Sequence, residues 1–322
     1  MPSIVLKIDV DTFRGTRVGV PNLARILEQH RANATFLFSL GPDHTGWALR
    51  RAFRPGFFQK VSRTSVVEHY GVKTLMYGTL LPAPDIGKEC VSELRAVQAA
   101  GFECGIHTWD HVLWQDNVRR RDAAWTKNIM QQAVDRFTAI FGAAPRTHGA
   151  AGWQMNRYAF EQLDALGIRY SSDGRALLDH AGALMQAEAG PHRLVVDGKT
   201  LNCIQLPTTL PTLDELLGCT IDNVVIDSSN IAATLLKLTD QSQTQQPRDH
   251  VYTLHAELEG QKLAPIFEQL LAGWRAQGYD LISMETAFKK VADRALPKHG
   301  VTWGELPGRS GELIMQGAVA IL

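Results

Sequence analysis

Short continuous apolar runs alternate along this chain with longer segments of helical spacing, and that alternation is the first guide to its architecture. The run at 3–10 (Ser-Ile-Val-Leu-Lys-Ile-Asp-Val) reads as a short buried strand, and 34–40, 102–106, 168–171, 201–206, 251–255 and 279–282 read as further strands. Between them, apolar positions at helical spacing predict helices over 21–30, 89–100, 118–141, 156–166, 221–238 and 263–276, with Gly142 and Gly167 as stops for two of them. Repeated β-then-α units imply an α/β fold with a parallel sheet closed into a barrel. No internal repeat is visible.

The 322 residues suffice for one large α/β domain, taken here as 1–292, followed by a tail at 293–322. That tail is turn-rich after Pro297, and its ten-residue apolar end can dock on the barrel or on a membrane surface but is too short to span a bilayer. The 33 basic residues balance the 33 acidic ones, so no global field attracts nucleic acid, and no basic groove interleaved with stacking aromatics is present. The first residues lack a basic segment followed by a long apolar core, so no signal peptide is expected. Cys90, Cys104, Cys203 and Cys219 are scattered without Cys-x-x-Cys spacing, as in buried thiols of a reducing compartment. The expected location is the cytoplasm.

One segment is too long for a simple connection. Between Gly41 and Gly87, after the second predicted strand, basic residues including Arg50, Arg51 and Arg54 are interleaved with Phe57, Phe58 and other aromatic and aliphatic residues. Such a composition suits a segment lying in the interface of an anionic membrane, although a helical lid packed on the barrel has the same appearance.

The chemistry concentrates in Asp9 and Asp11 of Ile-Asp-Val-Asp-Thr and in His107 and His111 of His-Thr-Trp-Asp-His. Residues two apart on a strand share a face, so both aspartates project from the carboxyl end of the first strand, and the histidines lie where another strand ends. Two imidazoles and one carboxylate can hold a divalent metal with coordination positions left open, while the second carboxylate moves protons. Taken singly, each pair has an ordinary explanation, a histidine pair on a helix surface or an aspartate pair capping a loop.

Asp9 and Asp11, the segment 107–111, and Thr253-Leu254-His255 occur in the order seen in the polysaccharide deacetylase (NodB-homology) family, which the chain resembles from about residue 4 to about residue 292. Longer stretches at 8–17, 149–153, 206–212 and 255–260 are similar to the members that deformylate a polyprenyl-phosphate-linked formamido sugar in lipid A modification. The resemblance implies a distorted parallel (β/α) barrel in which Asp11, His107 and His111 hold one divalent ion (zinc, cobalt or manganese), Asp9 is general base and His255 general acid. It implies hydrolysis of a formamide to formate and an amine, by a protein peripheral on the inner face of the bacterial inner membrane. The alternatives are a de-N-acetylase of another amino sugar and a catalytically silent lipid-surface protein of the same fold.

One departure from the family stands out. Members of the broader family carry an arginine in their third motif that orients the base, whereas the corresponding stretch here is Thr-His-Gly-Ala-Ala-Gly-Trp at 147–153. Arg14, Arg146 and Arg175 are the candidates to replace it. The small residues admit a close backbone approach, with Trp153 as an apolar wall. Asp173, after a predicted strand, is a candidate to orient a catalytic histidine or to bind sugar hydroxyls. Arg14 and Arg17 are candidates for the lipid phosphate.

Overall fold

The computed structural model describes residues 1–48, 71–186, 188–309 and 311–320, so Arg50, Arg51, Arg54, Phe57 and Phe58 lie outside the described residues. Strand β1 (Ser3–Val10) is buried along its whole length, the expected consequence of its apolar sequence and its place inside the sheet. One edge of β1 pairs in parallel with β10 (His250–His255). The other edge pairs with β2 (Thr35–Ser39) toward its carboxyl end and with β11 (Asp280–Ile282) toward its amino end. From β2 the sheet continues in parallel through β3 (Glu103–Thr108), β4 (Thr147–His148), β5 (Tyr170–Ser171) and β7 (Lys199–Gln205).

The parallel α/β architecture is the expected one, but among the described residues no ladder closes it into a ring. Between β7 and β10 irregular backbone spans the seam. The N–H groups of Thr209 and Leu210 both donate to the carbonyl of Val251, at 3.0 and 3.3 Å, while Thr208 N–H donates to Gly174 O at 3.0 Å. Beyond β7 the sheet runs outward through β6 (His192–Val196), β12 (Lys298–Gly304) and β13 (Leu313–Val319). The segment expected as a turn-rich tail therefore supplies an antiparallel hairpin, β12 with β13, docked on β6.

Local chemistry explains where elements differ from the sequence pattern. The long helix expected over 118–141 begins at Ala123, because Asp122 caps it by accepting from Trp125 N–H at 2.9 Å. It ends at Gly142, whose φ of 76° is the left-handed stop. The helix expected over 221–238 instead runs Ile231–Gln245, displaced by a small hairpin of β8 (Thr220–Ile221) and β9 (Val224–Val225). Asp222 and Asn223 turn that hairpin with φ of 50° and 62°, a conformation that short polar side chains tolerate. The helix extends through residues 241–245, beyond the end predicted at 238.

The two faces of β1 divide the interior. Ile4, Leu6, Ile8 and Val10 join Phe36, Phe38, Tyr252, Leu254, Phe267 and Leu270 in the main core. On the opposite face Val5 packs with Leu37, Tyr170, Ile204 and Leu206 inside the curve of the sheet. The alternation then continues to Lys7, Asp9 and Asp11, about 6–7 Å of rise per pair of residues. A buried lysine and two buried aspartates thus follow one another toward the carboxyl end of the strands.

Candidate metal centre and active site

Asp11 stands just past β1, and its loop is braced from across the fold. Glu257 Oε1 accepts from Asp11 N–H at 3.1 Å, Thr12 N–H at 2.9 Å and Thr12 Oγ1 at 2.8 Å. A Cβ at Gly15 would lie 1.9 Å from that same oxygen, so only glycine lets the loop close over the carboxylate. Burial, with the charge of Asp11 beside it, pushes the Glu257 carboxyl well above its usual range.

His107 lies on β3, and His111 is the first residue of the helix His111–Asn117. Asp110 caps that helix by accepting from Leu113 N–H at 3.0 Å and also holds His44 Nδ1 at 2.5 Å. The strand-to-helix turn brings the two rings to a centroid separation of 5.3 Å, near parallel. Donor atoms of Asp11, His107 and His111 all fall within 4.8 Å of one another. His107 Nε2 is 3.2 Å from Asp11 Oδ1, and His111 Nε2 is 3.5 Å from Asp11 Oδ2.

The donor set fits a cation. His107 Nδ1 is 2.7 Å from Gly149 O, and because a carbonyl only accepts, the ring proton sits on Nδ1 and a lone pair on Nε2. Nε2 and the carboxylate of Asp11 then face one another as two acceptors. Metal bonds of about 2.1 Å at tetrahedral or octahedral angles separate neighbouring ligand atoms by roughly 3.0–3.4 Å, close to the spacing found. Without a cation, protons do the same work. Burial disfavours an imidazolium at His107, but the charges of Asp9 and Asp11 outweigh it and raise its pKa. Burial likewise opposes ionisation of Asp11, yet His111 and His107 hold its carboxyl far below the usual range. A bound metal would replace those protons.

Asp9 and His255 flank the cluster on adjacent strands, directly opposite one another in the β1–β10 register. Asp9 Oδ1 is 3.7 Å from His107 Nδ1 and has no hydrogen-bond partner among the described residues, although it is buried. Asp9 Oδ2 is 2.8 Å from Lys7 Nζ. His255 is 8% exposed, its N–H donates to Glu259 Oε2 at 2.9 Å, and its Nδ1 is buried without a partner among the described residues.

The other candidate residues are placed differently. Asp9 is not held by Arg14, Arg146 or Arg175: its cationic neighbour is Lys7. The sequence signal for Lys7 was present, since it shares the face of β1 that carries both aspartates. Arg175 is fully buried and gives Nη1 and Nη2 to Glu215 at 2.6 and 2.9 Å. Asp173 accepts from His148 Nδ1 at 2.6 Å and from Gln205 Nε2 at 3.0 Å, so the histidine it orients is His148. Trp153 is 2% exposed, with the guanidinium of Arg175 at 4.7 Å and that of Arg309 at 4.4 Å from its ring centroid. Arg17 is exposed and donates to Glu93 at 3.2 Å and to Glu89 O at 3.0 Å, while Arg14 is half-buried beside Gly71. Glu257, Lys7 and the carbonyl of Gly149 are parts of the site that motif spacing alone did not single out.

The model of the polysaccharide deacetylase family matches residues 2–171. A protein of Shewanella sediminis (strain HAW-EB3), named "Probable 4-deoxy-4-formamido-L-arabinose-phosphoundecaprenol deformylase ArnD", is 33% identical over 98% of this chain and 94% of its own length. A protein of the same name from Wigglesworthia glossinidia brevipalpis is 29% identical over 94% of this chain and 98% of its own. Among solved structures, one from Mycobacterium smegmatis described as a putative polysaccharide deacetylase superposes with a TM-score of 0.61 at 14% identity, covering 95% of this chain and 96% of that one. At that identity the likeness speaks for the fold.

Proposed function

This chain belongs to the polysaccharide deacetylase family, and from that premise we propose that it deformylates undecaprenyl-phosphate-linked 4-deoxy-4-formamido-L-arabinose. The products are formate and the 4-amino-4-deoxy-L-arabinose lipid, a reaction that would serve lipid A modification and resistance to cationic peptides such as polymyxin. The observation that carries the chemistry is the meeting of Asp11, His107 and His111 within 4.8 Å beneath a buried carboxylate, Asp9. The likeness to the named deformylases over nearly the whole chain supports the substrate.

Asp11, His107 and His111 would hold a divalent ion, zinc, cobalt or manganese, which when bound polarises an amide carbonyl and makes water more acidic. Asp9 is the general base, taking the proton of the attacking water on Oδ1, the oxygen without a hydrogen-bond partner among the described residues. His255 faces it from β10 and protonates the departing nitrogen, because an amide nitrogen does not leave as an anion. The Gly149 carbonyl fixes the His107 ring, and Glu257 fixes the loop of Asp11, so the acceptors are set before substrate arrives.

A substrate anchored by a polyprenyl chain requires the strand carboxyl ends to work at a membrane surface. Among the described residues no helix is long and apolar enough to cross a membrane. We assign peripheral attachment to the basic and aromatic residues around Arg50, Arg51, Arg54, Phe57 and Phe58. Charge reversal of the three arginines should weaken binding to anionic vesicles and leave metal content unchanged, and undiminished vesicle binding would retire this role. The deformylation itself is tested by mass spectrometry of the formamido-sugar lipid before and after incubation, alongside an acetamido lipid and a soluble acetylated sugar. Turnover confined to the formamido lipid is expected. Preference for either acetylated compound would replace this reading with de-N-acetylation.

A further inference from the structure

We infer that Lys7 is the positioning residue of the general base, the cation that fixes Asp9 in a chain whose third motif holds no arginine. The inference rests on the proposed hydrolysis for its catalytic consequence and on geometry for its cause. Lys7 is entirely buried, and its Nζ lies 2.8 Å from Asp9 Oδ2. A buried ammonium must be paired, and Asp9 is its partner.

The pairing makes the two oxygens of Asp9 unequal. Oδ2 is bound to Lys7, whereas Oδ1 is left without a hydrogen-bond partner among the described residues, beside the ring of His107 with Nδ1 at 3.7 Å. A carboxylate anchored through one oxygen presents the other at a fixed place. Proton abstraction by a free-swinging carboxylate lacks that advantage, and a misplacement of about 1 Å at a reacting group costs on the order of 100-fold in rate.

The unusual third motif fits the lysine. A Cβ at Gly149 would stand 2.7 Å from Lys7 Cε and 3.5 Å from Nζ, so the glycine is the space through which the lysine stem passes. Trp153, four residues on, lies beneath the ammonium, with Nζ 5.2 Å from its ring centroid. The stretch at 149–153 therefore houses a cation delivered from β1 rather than supplying one of its own.

Lys7→Met keeps most of the stem and removes the charge. Its kcat should fall about 100-fold with KM changed less than about threefold, and its metal content should equal that of the wild type. In Lys7→Ala, which leaves a channel, methylammonium or ethylammonium should restore at least about tenfold of the lost rate with saturation, and tetramethylammonium should not. A crystal structure of metal-loaded Lys7→Met should show the Asp9 carboxylate rotated from its wild-type conformer, a readout that needs no substrate. It keeps the inference testable even if the formamido lipid is not turned over. Should Lys7→Met fail to fold, Lys7→Gln, which retains a donor toward Oδ2 without the charge, carries the same measurements. A kcat within twofold of wild type, an unmoved Asp9, or an activity loss that only tracks lost metal would each overturn the assignment.

Discussion

Two of the buried charge clusters among the described residues, one around Glu215 and one around Asp11, are finished to different degrees. In the first, Glu215 receives Arg175 through two hydrogen bonds, Arg309 Nε at 2.7 Å and Thr212 N–H at 3.0 Å, so every strong acceptor faces a donor. In the second, Asp11 and His107 turn acceptors toward one another with His111 Nε2 3.5 Å from Asp11 Oδ2, and Asp9 and Asp11 each keep a buried oxygen without a hydrogen-bond partner among the described residues. Burying charge is tolerated only when it is paired. In the Glu215 cluster both carboxylate oxygens are satisfied by protein donors, although Arg175 Nε is buried without a hydrogen-bond partner among the described residues, and Arg309 ties the hairpin segment onto the fold. The Asp11 cluster holds together without a cation only through protons shared with the histidines, and its donor set would accept a divalent ion in their place.

Removing the cation should separate the clusters most sharply. Exhaustive chelation is expected to lower deformylation by at least about 10⁴-fold, reversed by added zinc, cobalt or manganese, while far-ultraviolet circular dichroism stays unchanged. Activity that survives chelation would show that the second cluster needs no metal. Next in size, Asp9→Asn and His255→Ala should each lower kcat by about 10²–10⁴-fold with metal retained. Full turnover in either variant would remove that residue from its role.

Arg175→Met attacks the other cluster. It leaves Glu215 short of its bidentate partner and should cost about 3 kcal/mol or more in urea unfolding, with metal content preserved in the folded fraction. A loss below about 1 kcal/mol would mean that the pair adds little to the fold.

The smallest effects lie in pH dependence, and the two regions differ in sign. Burial raises the pKa of Glu215, but Arg175 and Arg309 outweigh it and hold the carboxyl below its ordinary 4.5. Its stabilisation is therefore complete above the unfolded value and lost as pH falls through the lower folded one. Glu259, which accepts from His255 N–H, is pushed up to about 7 mainly by burial. Between about 4.5 and 7 the folded form keeps a proton that the unfolded chain has released, so stability declines as pH rises through that window and levels off above it. Glu259→Gln should flatten this decline by about 1–3 kcal/mol, and Glu215→Gln should flatten the acid limb. Urea titrations from pH 3 to 8 measure both, and unchanged slopes would contradict the assignments.

What the sequence disclosed follows the same division. The strands that carry the site were legible because β1 and β2 are largely apolar and β3 lies in the short run Phe-Glu-Cys-Gly-Ile, and the aspartates and histidines stand where those runs end. The Glu215 cluster was not, because Arg175, Glu215, Arg309 and Trp153 come from distant segments and no spacing announces that they meet. The hairpin of β12 and β13 was hidden for a related reason: glycines and prolines dominate its surroundings, and its strands exist through pairing with β6. Lys7 lay in plain view within β1, yet an arginine motif is normally sought near the histidines, and the replacement entered from another strand. The seam at Thr208 to Leu210 was invisible because backbone hydrogen bonds from irregular chain leave no pattern in side chains.

The central claim is that Asp11, His107 and His111 share one divalent ion. Metal-to-protein ratio after equilibrium dialysis, measured side by side on wild type and His107→Ala, tests it most directly. The account predicts one ion per chain in the wild type and almost none in the variant, with both proteins folded. Equal metal content in the two would contradict it.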